Sequence, residues 1–434
     1  MSGTIDTSHA TQKVYEHDGS ILPHLARHLP YSISLLRRVQ HGLAHPTPTA
    51  KILATFPPSC GPPDNSHPWL AARVDLFRGR ETQMIVYSSL EAGNTSNLII
   101  PVTSSGGSSG TPTMGANAIQ SGTEINLNDH SNSQPEYIVS TFNNLPDSTQ
   151  DLVREQLVAL LSYVKKYLLP TYLASLPAGG AEKKEAKTGV ELIPAPSPQA
   201  FLIGSLHTAL FSLLQNTGAN VFSASKAAAD GSSSDPVTRL RVHRFDDPPY
   251  YKFFFRRSDF AWPEAGSGLP AGYRFLDRCG RRGVLESQLD LVQSRTHIPR
   301  SREQLRLMPG VAIYCDSPLQ GKGSENRDGD EMPIAWAFLG LDGALATLHV
   351  EPEHRGKGLA LALSKEAMRR GLDEEGVFGA RSGDWIHQPE LRDAVAGWVH
   401  TEVAQYNVAS KRVMQKIGGE VLSTVMWTVI EVLD

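Results

Sequence analysis

The sequence predicts an α+β fold with a mixed α/β sheet, divided into two parts. Short apolar runs with β-branched residues alternate with amphipathic helical patterns, as they do between 345 and 370. An Asp-Gly pair at 342–343 separates two apolar runs and predicts an antiparallel hairpin within the sheet. At 434 residues, the chain is long enough for two or three domains with sizeable cores.

Composition argues against several classes of protein. The net charge of −4 carries no basic footprint of nucleic-acid binding, and no apolar run approaches the length that spans a membrane. The first residues lack the apolar stretch of a signal peptide. Three widely separated cysteines, Cys60, Cys279 and Cys315, indicate a reducing compartment and neither a disulfide framework nor a metal site. We therefore expect a cytoplasmic protein with no metal, membrane or nucleic-acid partner, and its oligomeric state is not indicated.

Residues 1–260 are predicted to form an N-terminal α/β domain. The patterns predict helices at 22–39, 147–168 and 201–214, and strands at 51–56, 69–87, 240–245 and 250–255. Segments dominated by small and polar residues cannot bury enough apolar area to offset the entropy of ordering. We interpret them as disordered insertions at about 92–135, 178–187 and 224–235.

Residues 272–434 are predicted to form a second domain with the element order β-α-α-β-β-β-α-β-α-β. Strands are predicted at 273–276, 311–314, 334–339, 344–350, 398–403 and 421–432. A helix is predicted at 285–292, and Ser301 with Gln304 matches the capping box of a second one. Asn407 and Gly418 have the residue types that begin and end the last helix.

A glycine-rich basic segment, Arg355-Gly356-Lys357-Gly358, lies between the strand that ends at Val350 and a helical pattern. The first N–H groups of a helix have no partner in the helix, and its dipole adds positive potential. Glycines allow a ligand to approach the backbone, while Arg and Lys supply charge. The segment therefore predicts a pyrophosphate site. It is not a P-loop, because the Lys precedes the second glycine and no Ser or Thr follows it.

The pattern Arg355-x-x-Gly358-x-Ala360, after a strand that ends Val350-x-Pro352, resembles the acyl-coenzyme A loop of the GNAT acyltransferase superfamily. The Asn407-x-x-Ser410 start of the last helix matches the helix that runs beside the pantetheine arm in that family. The resemblance implies that the cofactor-binding residues are Leu348, Val350, Arg355, Gly356, Lys357, Gly358, Leu359, Ala360, Asn407 and Ser410.

The same resemblance implies a GNAT fold across 272–434. The two-part layout looks most like that of glycine N-acyltransferase-like proteins, which place a divergent GNAT-like half first. In the N-terminal half the likeness depends on domain size and order. The implied reaction moves an acetyl or other acyl group from acetyl-CoA or another acyl-CoA to the amine of a small molecule or amino acid, without a metal.

The acid-base residues are the least defined part of the prediction. His349 and Glu351 share the strand before the loop, and they are the catalytic candidates because a histidine can take an amine proton. The alternative is that His349 is a rim histidine and that Glu351, like Glu402, is a solvated edge carboxylate. Two positions depart from the family: Met414 stands where many members have a tyrosine acid, and Ala344 where glycine N-acyltransferases have a glutamate.

The acceptor is predicted to bind at the loop between the first two helices of the second domain. Arg295, His297 and Arg300 lie there, and an arginine can hold the carboxylate of an amino acid with a bidentate fork. Two other functions stay open. The protein could acetylate protein N-termini or lysines, or it could be a catalytically weak pseudoenzyme that binds acyl-CoA as a regulatory ligand.

Overall fold

The computed structural model describes residues 12–63, 67–101, 136–176, 195–215, 240–257, 268–296, 298, 300–316, 330–372, 377–378 and 394–433. The strands are β1 (Tyr15–His17), β2 (Lys51–Ala54), β3 (Leu70–Val74), β4 (Met84–Ser88), β5 (Ser96–Pro101), β6 (Glu136–Thr141), β7 (Ala200–His207), β8 (Leu240–Phe245), β9 (Tyr250–Arg256), β10 (Tyr273–Arg274), β11 (Gly310–Cys315), β12 (Ala335–Leu339), β13 (Leu345–Val350), β14 (Trp398–Ala404) and β15 (Glu420–Val432). The α-helices are α1 (Leu22–Ala26), α2 (Ile33–Ala44), α3 (Asp147–Tyr163), α4 (Leu169–Ser175), α5 (Thr208–Gln215), α6 (Leu289–Ser294), α7 (Arg302–Leu307), α8 (Leu359–Gly371) and α9 (Val408–Ile417).

A nine-stranded sheet joins the two parts of the chain. Its order is β1-β2-β3-β4-β7-β15-β9-β14, with β8 paired to β15 beside this path. Strands β4 and β7 pair in parallel and the other pairs are antiparallel, so the predicted α+β class with a mixed sheet is confirmed. Strand β9 lies between β14 and β15, so the end of the chain is paired to a strand from 1–260. The division of the chain into two domains, 1–260 and 272–434, stays a prediction.

A second sheet of four antiparallel strands, β10-β11-β12-β13, leads up to the predicted cofactor loop. Its last strand, β13, runs parallel to β14, and within the described part of the chain one backbone bridge, Ala344 to His400, connects them. Beyond that bridge the two strands separate. The opening between them lies at the end where β13 leads into the loop.

The cores are divided by the sheets. One apolar cluster packs α3 and α5 against the N-terminal strands, and another packs α1 and α2 against the opposite face. A third cluster places α8 and α9 on one face of β11–β14, and a fourth places α6 and α7 on the other face of β12. Side chains on successive residues of β13 therefore point to different helix layers.

Three predicted elements of the N-terminal part are corrected. The stretch 201–214 is strand β7 followed by α5, because a fully buried strand has no alternation that separates it from a buried helix. The helix predicted at 22–39 is two helices separated around Pro30, which has no N–H for a helical bond. The insertion predicted at 92–135 contains β5 at its start, paired to β6. Its remainder lies outside the described residues, as do 178–187 and 224–235.

The helix predicted at 147–168 continues past Pro170. A π-helical turn, Val164–Leu168, joins α3 to α4, and Pro170 occupies the first turn of α4, where its missing N–H costs no hydrogen bond. In the described ranges, no helix combines the length and the apolar character needed to cross a bilayer.

Candidate functional site

The predicted cofactor loop adopts a conformation that favours glycine. Gly356 and Gly358 have φ of 78° and 79°, in the left-handed region, and Gly358 is the residue that precedes the first turn of α8. A Cβ at either glycine would meet no atom within 4 Å, so the backbone here is uncovered. The predicted pyrophosphate site is therefore sterically open at both glycines, just before the first turn of α8.

The charges of the loop are positioned by neighbouring groups. Arg355 donates from Nε to the carbonyl oxygen of Val350 over 3.0 Å, which holds its guanidinium at the end of β13. Lys357 donates to the Tyr273 hydroxyl over 2.9 Å, and that hydroxyl also lies 3.0 Å from Nδ1 of His354. These contacts bring Tyr273, far from the loop in sequence, to the predicted phosphate site.

A β-bulge lies in β13 just before the loop. His349 pairs with Trp336 and Ala346 with Phe338, so Thr347 and Leu348 together face one residue of β12. Thr347 has φ of 53°, which a β-branched residue rarely adopts. The bulge interrupts the β12–β13 ladder at Thr347 and Leu348, a few residues before the predicted cofactor loop.

The bulge and the strand end divide the predicted residues between two faces. Leu348 and Val350 pack with the cluster formed by α8 and α9, the side on which the resemblance places pantetheine. His349 turns to the other face, where its ring stacks on Trp336 at 4.7 Å between centroids with 20° between planes. Cofactor and acid-base candidates are therefore on opposite sides of the same strand.

Three predicted residues come together on that second face. Arg295 donates from Nε to Oε1 of Glu351 over 3.0 Å, while Nε2 of His349 lies 3.6 Å from Oε2 of the same carboxylate. Glu351 keeps 17% of its side chain exposed, so it is neither a free edge carboxylate nor a buried one. The three form a small site with both charges and an imidazole.

Electrostatics favour a neutral His349. Burial lowers the pKa of His349, and the nearby Glu351 carboxylate opposes that shift without reversing it. The buried Nε2 atom has no hydrogen-bond partner among the described residues. A neutral imidazole with an unpaired nitrogen can accept a proton or a hydrogen bond from a ligand.

The other predicted acceptor residues are not part of this group. His297 lies outside the described residues. Burial lowers the pKa of the Arg300 guanidinium, and the carboxylates of Glu81 and Asp342 oppose that shift. The Glu81 carboxylate, which belongs to the N-terminal part, also accepts a hydrogen bond from the backbone N–H of Ser301. Arg300 therefore lies beside two carboxylates that already interact with the protein. A role for Arg300 in holding substrate stays a prediction that this arrangement does not support.

The start of α9 matches the prediction. The side chain of Asn407 accepts from the N–H of Ser410 over 3.0 Å and caps the helix, and Gly418 ends it with φ of 103°. Met414, where many family members have a tyrosine, is buried in the core under α8. Ala344 is buried at the bridge to His400, so neither position carries acid-base chemistry here.

A buried polar network beside β14 was not predicted. Glu402, expected to be solvated, has 4% of its side chain exposed, and it lies 3.7 Å from Nζ of Lys252 and 3.2 Å from Nδ1 of His400. Ser205 donates to Glu402 and accepts from Lys252, which also donates to Ser34. Burial raises the pKa of Glu402, but these partners outweigh it and lower that pKa to about 2. The alternation of side chains along β14 indicates which residues share a face of the strand. It does not indicate that another element covers that face, so the burial of Glu402 could not be predicted.

Part of this network has metal-ligand geometry. One side-chain atom each from Asp342, His400 and Glu402 lie within 4.8 Å of one another. Lys252 is beside Glu402, however, and the Asp342 carboxylate interacts with Arg38 and Arg300. These cations already compensate the carboxylates and would repel a metal ion. The donor set does not fit a metal, and the metal-free expectation stays a prediction.

One described cavity lies away from the loop. About 510 Å³ of open space is lined by Arg256, Arg257, Gly397 and Trp398, at the first residue of β14. The loop follows β13 at the opposite end of this parallel pair. The cavity is open to solvent and shallow. The predicted cofactor loop and the group formed by Arg295, His349 and Glu351 lie at the other end of the strand pair.

The chain is similar to a known sequence family and to several solved structures. A sequence family described as the acyl-CoA N-acyltransferase verG N-terminal domain matches residues 10–253, more than half of the 434-residue chain. No curated protein sequence matches. Among solved structures, a Drosophila protein shows 10% identity with a TM-score of 0.44, covering 97% of this chain and 98% of its own.

Two further solved structures cover about half of the chain. A GCN5-related N-acetyltransferase from Kribbella flavida shows 12% identity and a TM-score of 0.25, over 45% of this chain and 68% of its own. A protein described as an acetyltransferase from the GNAT family, from Novosphingobium aromaticivorans, shows 16% identity and a TM-score of 0.26, over 47% and 72%.

The family match was found in the part of the chain where the sequence patterns were least specific. The loop and the bulge lie in the other part of the chain, outside the matched residues. The finer likeness to glycine N-acyltransferases stays a prediction. The chain belongs to the acyl-CoA N-acyltransferase verG family.

Proposed function

We propose that this chain transfers an acyl group from acyl-CoA to the amine of a small molecule or amino acid. The observation that carries the proposal is the uncovered loop at Gly356 and Gly358, placed where β13 and β14 separate. In this reading the loop and the first N–H groups of α8 hold the pyrophosphate, with Arg355 and Lys357 supplying charge. The pantetheine arm then lies along Asn407 and Ser410 into the opening.

The second face of β13 suits an acceptor that carries both an amine and a carboxylate. The Arg295 guanidinium can bind the carboxylate in bidentate fashion, and Glu351 can attract the ammonium group. Arg295 and Glu351 form an ion pair with each other in the absence of substrate. A zwitterionic acceptor replaces that pair with two new ones, carboxylate to Arg295 and ammonium to Glu351, so no charge is left unpaired. This supports an amino acid over a protein side chain as the acceptor.

The reaction requires one proton to leave the amine. The neutral amine nitrogen attacks the thioester carbonyl carbon, a C–N bond forms, the C–S bond breaks, and the electron pair leaves on sulfur. His349, neutral because of its burial, is the candidate for the proton acceptor on this face. In this proposal, backbone N–H groups at the β13 bulge stabilise the oxyanion.

Thermal unfolding with acetyl-CoA, longer acyl-CoAs and free CoA tests the proposal. A ligand that binds only the folded state adds about 2.7 kcal/mol of stability at a hundredfold excess over Kd. Gly358→Asp should abolish the shift, because the new side chain combines a strained φ with charge against the pyrophosphate. Gly93→Asp is a matched control, since Gly93 has φ of 83° with no atom within 4 Å of a Cβ, and it lies away from the loop. Retained CoA affinity in Gly358→Asp would overturn the site.

The regulatory alternative makes a different prediction for the same protein. Buried Met414 and Ala344 favour it, because both stand where relatives have acid-base groups. Tight acyl-CoA binding, with no transfer to any member of an amine panel, would support the pseudoenzyme. Transfer to a peptide N-terminus but not to free amino acids would instead support the protein acetyltransferase.

A further inference from the structure

Trp336 and His349 form a stacked aromatic pair between β12 and β13. They are direct partners in the register of the two strands, and their ring centroids lie 4.7 Å apart with 20° between the planes. Directly opposed residues of a strand pair have their side chains on the same face of the sheet. The indole therefore covers one face of the imidazole that the proposed reaction uses as its proton acceptor.

The indole of Trp336 also packs into the layer formed by α6 and α7. Trp336 has no exposed surface. Its apolar cluster includes Leu289, Val292, Leu305, Met308, Phe338 and Leu341. A large ring in a close-packed core has little freedom to move, so it fixes the plane of the ring that stacks on it.

Packing alone does not favour a tryptophan at this position. The indole N–H of Trp336 is buried and has no hydrogen-bond partner among the described residues. An unpaired buried donor costs about 1–3 kcal/mol, and a phenylalanine would fill the core without one. The larger area of the indole does, however, cover more of a stacked imidazole than a phenyl ring covers.

The charged groups near His349 come from three other segments. Nε2 of His349 lies 3.6 Å from Oε2 of Glu351, which follows β13, and Oε1 of that carboxylate accepts from Arg295 after α6. Arg355 of the cofactor loop acts on the imidazole as a second positive charge. Trp336 brings neither charge nor an acceptor atom, so it leaves Nε2 to these groups and to the substrate.

We propose that Trp336 is a positioning residue that holds the imidazole of His349 in the orientation for taking the proton of the acceptor amine. The inference rests on the acyl transfer proposed above, with His349 as the proton acceptor. Trp336 touches neither the substrate nor the reacting atoms. It fixes the plane of the imidazole and keeps water from one of its faces, which favours the neutral form that accepts a proton.

Proton NMR of the histidine rings tests the stack without turnover. In the wild type we expect contacts between indole and imidazole protons, and their absence would overturn the proposal without any variant. Burial lowers the pKa of His349, so Trp336→Met, which fills the space without a flat ring, should raise that pKa toward 6.5. Trp336→Phe should shift it less.

Phe338→Met is the matched control for these variants. Phe338 lies on the same strand and in the same apolar cluster, but its register partner is Ala346 and not His349. It should therefore cost stability while the pKa of His349 stays as in the wild type. An equal shift in Phe338→Met, or no shift in Trp336→Met, would show that Trp336 only fills the core.

Steady-state kinetics tests the effect on turnover. Trp336→Met should lower kcat about tenfold or more with little change in KM, and should move the acid limb of the rate to higher pH. Trp336→Phe should recover most of the loss, and Phe338→Met should keep the wild-type profile. Equal losses in Trp336→Met and Phe338→Met would overturn the role. If the wild type transfers no acyl group, the proposed function fails and the role with it, whereas full turnover in Trp336→Met refutes the positioning role alone.

Discussion

Arg295 and Glu351, 56 residues apart in sequence, are joined by a hydrogen bond of 3.0 Å. The bond ties the loop after α6 to the residue that follows β13, so a candidate acceptor group and a candidate catalytic residue form one surface. His349 lies against the other oxygen of the same carboxylate.

Arg295→Lys should raise the KM for acceptors that bear a carboxylate and change kcat little. A lysine cannot reproduce the bidentate fork, and loss of a charge-assisted hydrogen bond costs about 1.5–3 kcal/mol, or roughly 10- to 100-fold in KM. Steady-state kinetics with an amino acid and with its decarboxylated amine measures this. Arg302→Lys, which pairs with Glu286 instead, is the control. Equal effects on both acceptors would contradict a carboxylate role.

His349→Gln should keep acyl-CoA binding and lower turnover by about a hundredfold. Because burial places the pKa of His349 below its ordinary 6.5, the wild-type rate should fall only at acid pH, as the imidazole becomes protonated. A pH–rate profile measures this, with His243→Gln as a surface control. An acid limb that survives in His349→Gln belongs to another group, and full turnover would remove His349 from the mechanism.

Glu91→Gln should flatten the dependence of stability on pH. Burial raises the pKa of Glu91 to about 8, so the folded state holds a proton that the unfolded state loses above about 4.5. Stability from this group is present below pH 4.5 and is lost as pH rises through 8, by about 3–5 kcal/mol in total. Urea unfolding at pH 5 and pH 9 measures the difference. Glu155→Gln, at an exposed position, is the control and should leave the pH dependence of the unfolding free energy as in the wild type. If Glu91→Gln also left it unchanged, Glu91 would be ionised in the folded state throughout this pH range.

Lys252→Met should destabilise the fold by about 3–5 kcal/mol, because it leaves the Glu402 carboxylate buried without its cation. Adding Glu402→Gln should restore much of the loss, and a double-mutant cycle in denaturant measures the coupling. Additive effects of the two substitutions would show that the pair does not interact.

Gln405→Glu should loosen the β5–β6 ribbon. The Gln405 amide donates to the Ile138 carbonyl over 2.6 Å and accepts from the Ile138 N–H over 2.9 Å, and a carboxylate cannot do both. The buried carbonyl would face a negative oxygen at a cost of about 1–3 kcal/mol. Hydrogen exchange at Ile138 reports the change. Gln150→Glu, which loses one bond to Leu145, is the milder comparison.

Local patterns predicted the loop and its helix because their cause is local. Two glycines with positive φ, the Ser301 and Asn407 caps and the Asp-Gly turn each depend on a few adjacent residues. The pairing of Glu402 with Lys252 and of Arg295 with Glu351 joins distant segments, and no periodicity reveals such partners. The bulge at Thr347 was equally hidden, because threonine gives no sign of a left-handed backbone.

The likeness to glycine N-acyltransferases came from the two-part layout of the chain, and it stays a prediction. Ala344 and Met414 show why positions do not suffice: both are buried in a core that has no use for a polar side chain.

Strand β9, with β14 on one side and β15 on the other, makes the two parts of the gene product mutually dependent. If the polypeptide were cut within 258–267, each fragment would expose a full-length unpaired strand edge. We expect neither fragment to remain dispersed alone, and both to reassemble into a one-to-one complex when refolded together. If the two fragments were used as the halves of a split reporter, recovery of its signal would require β9 to pair again with both β14 and β15.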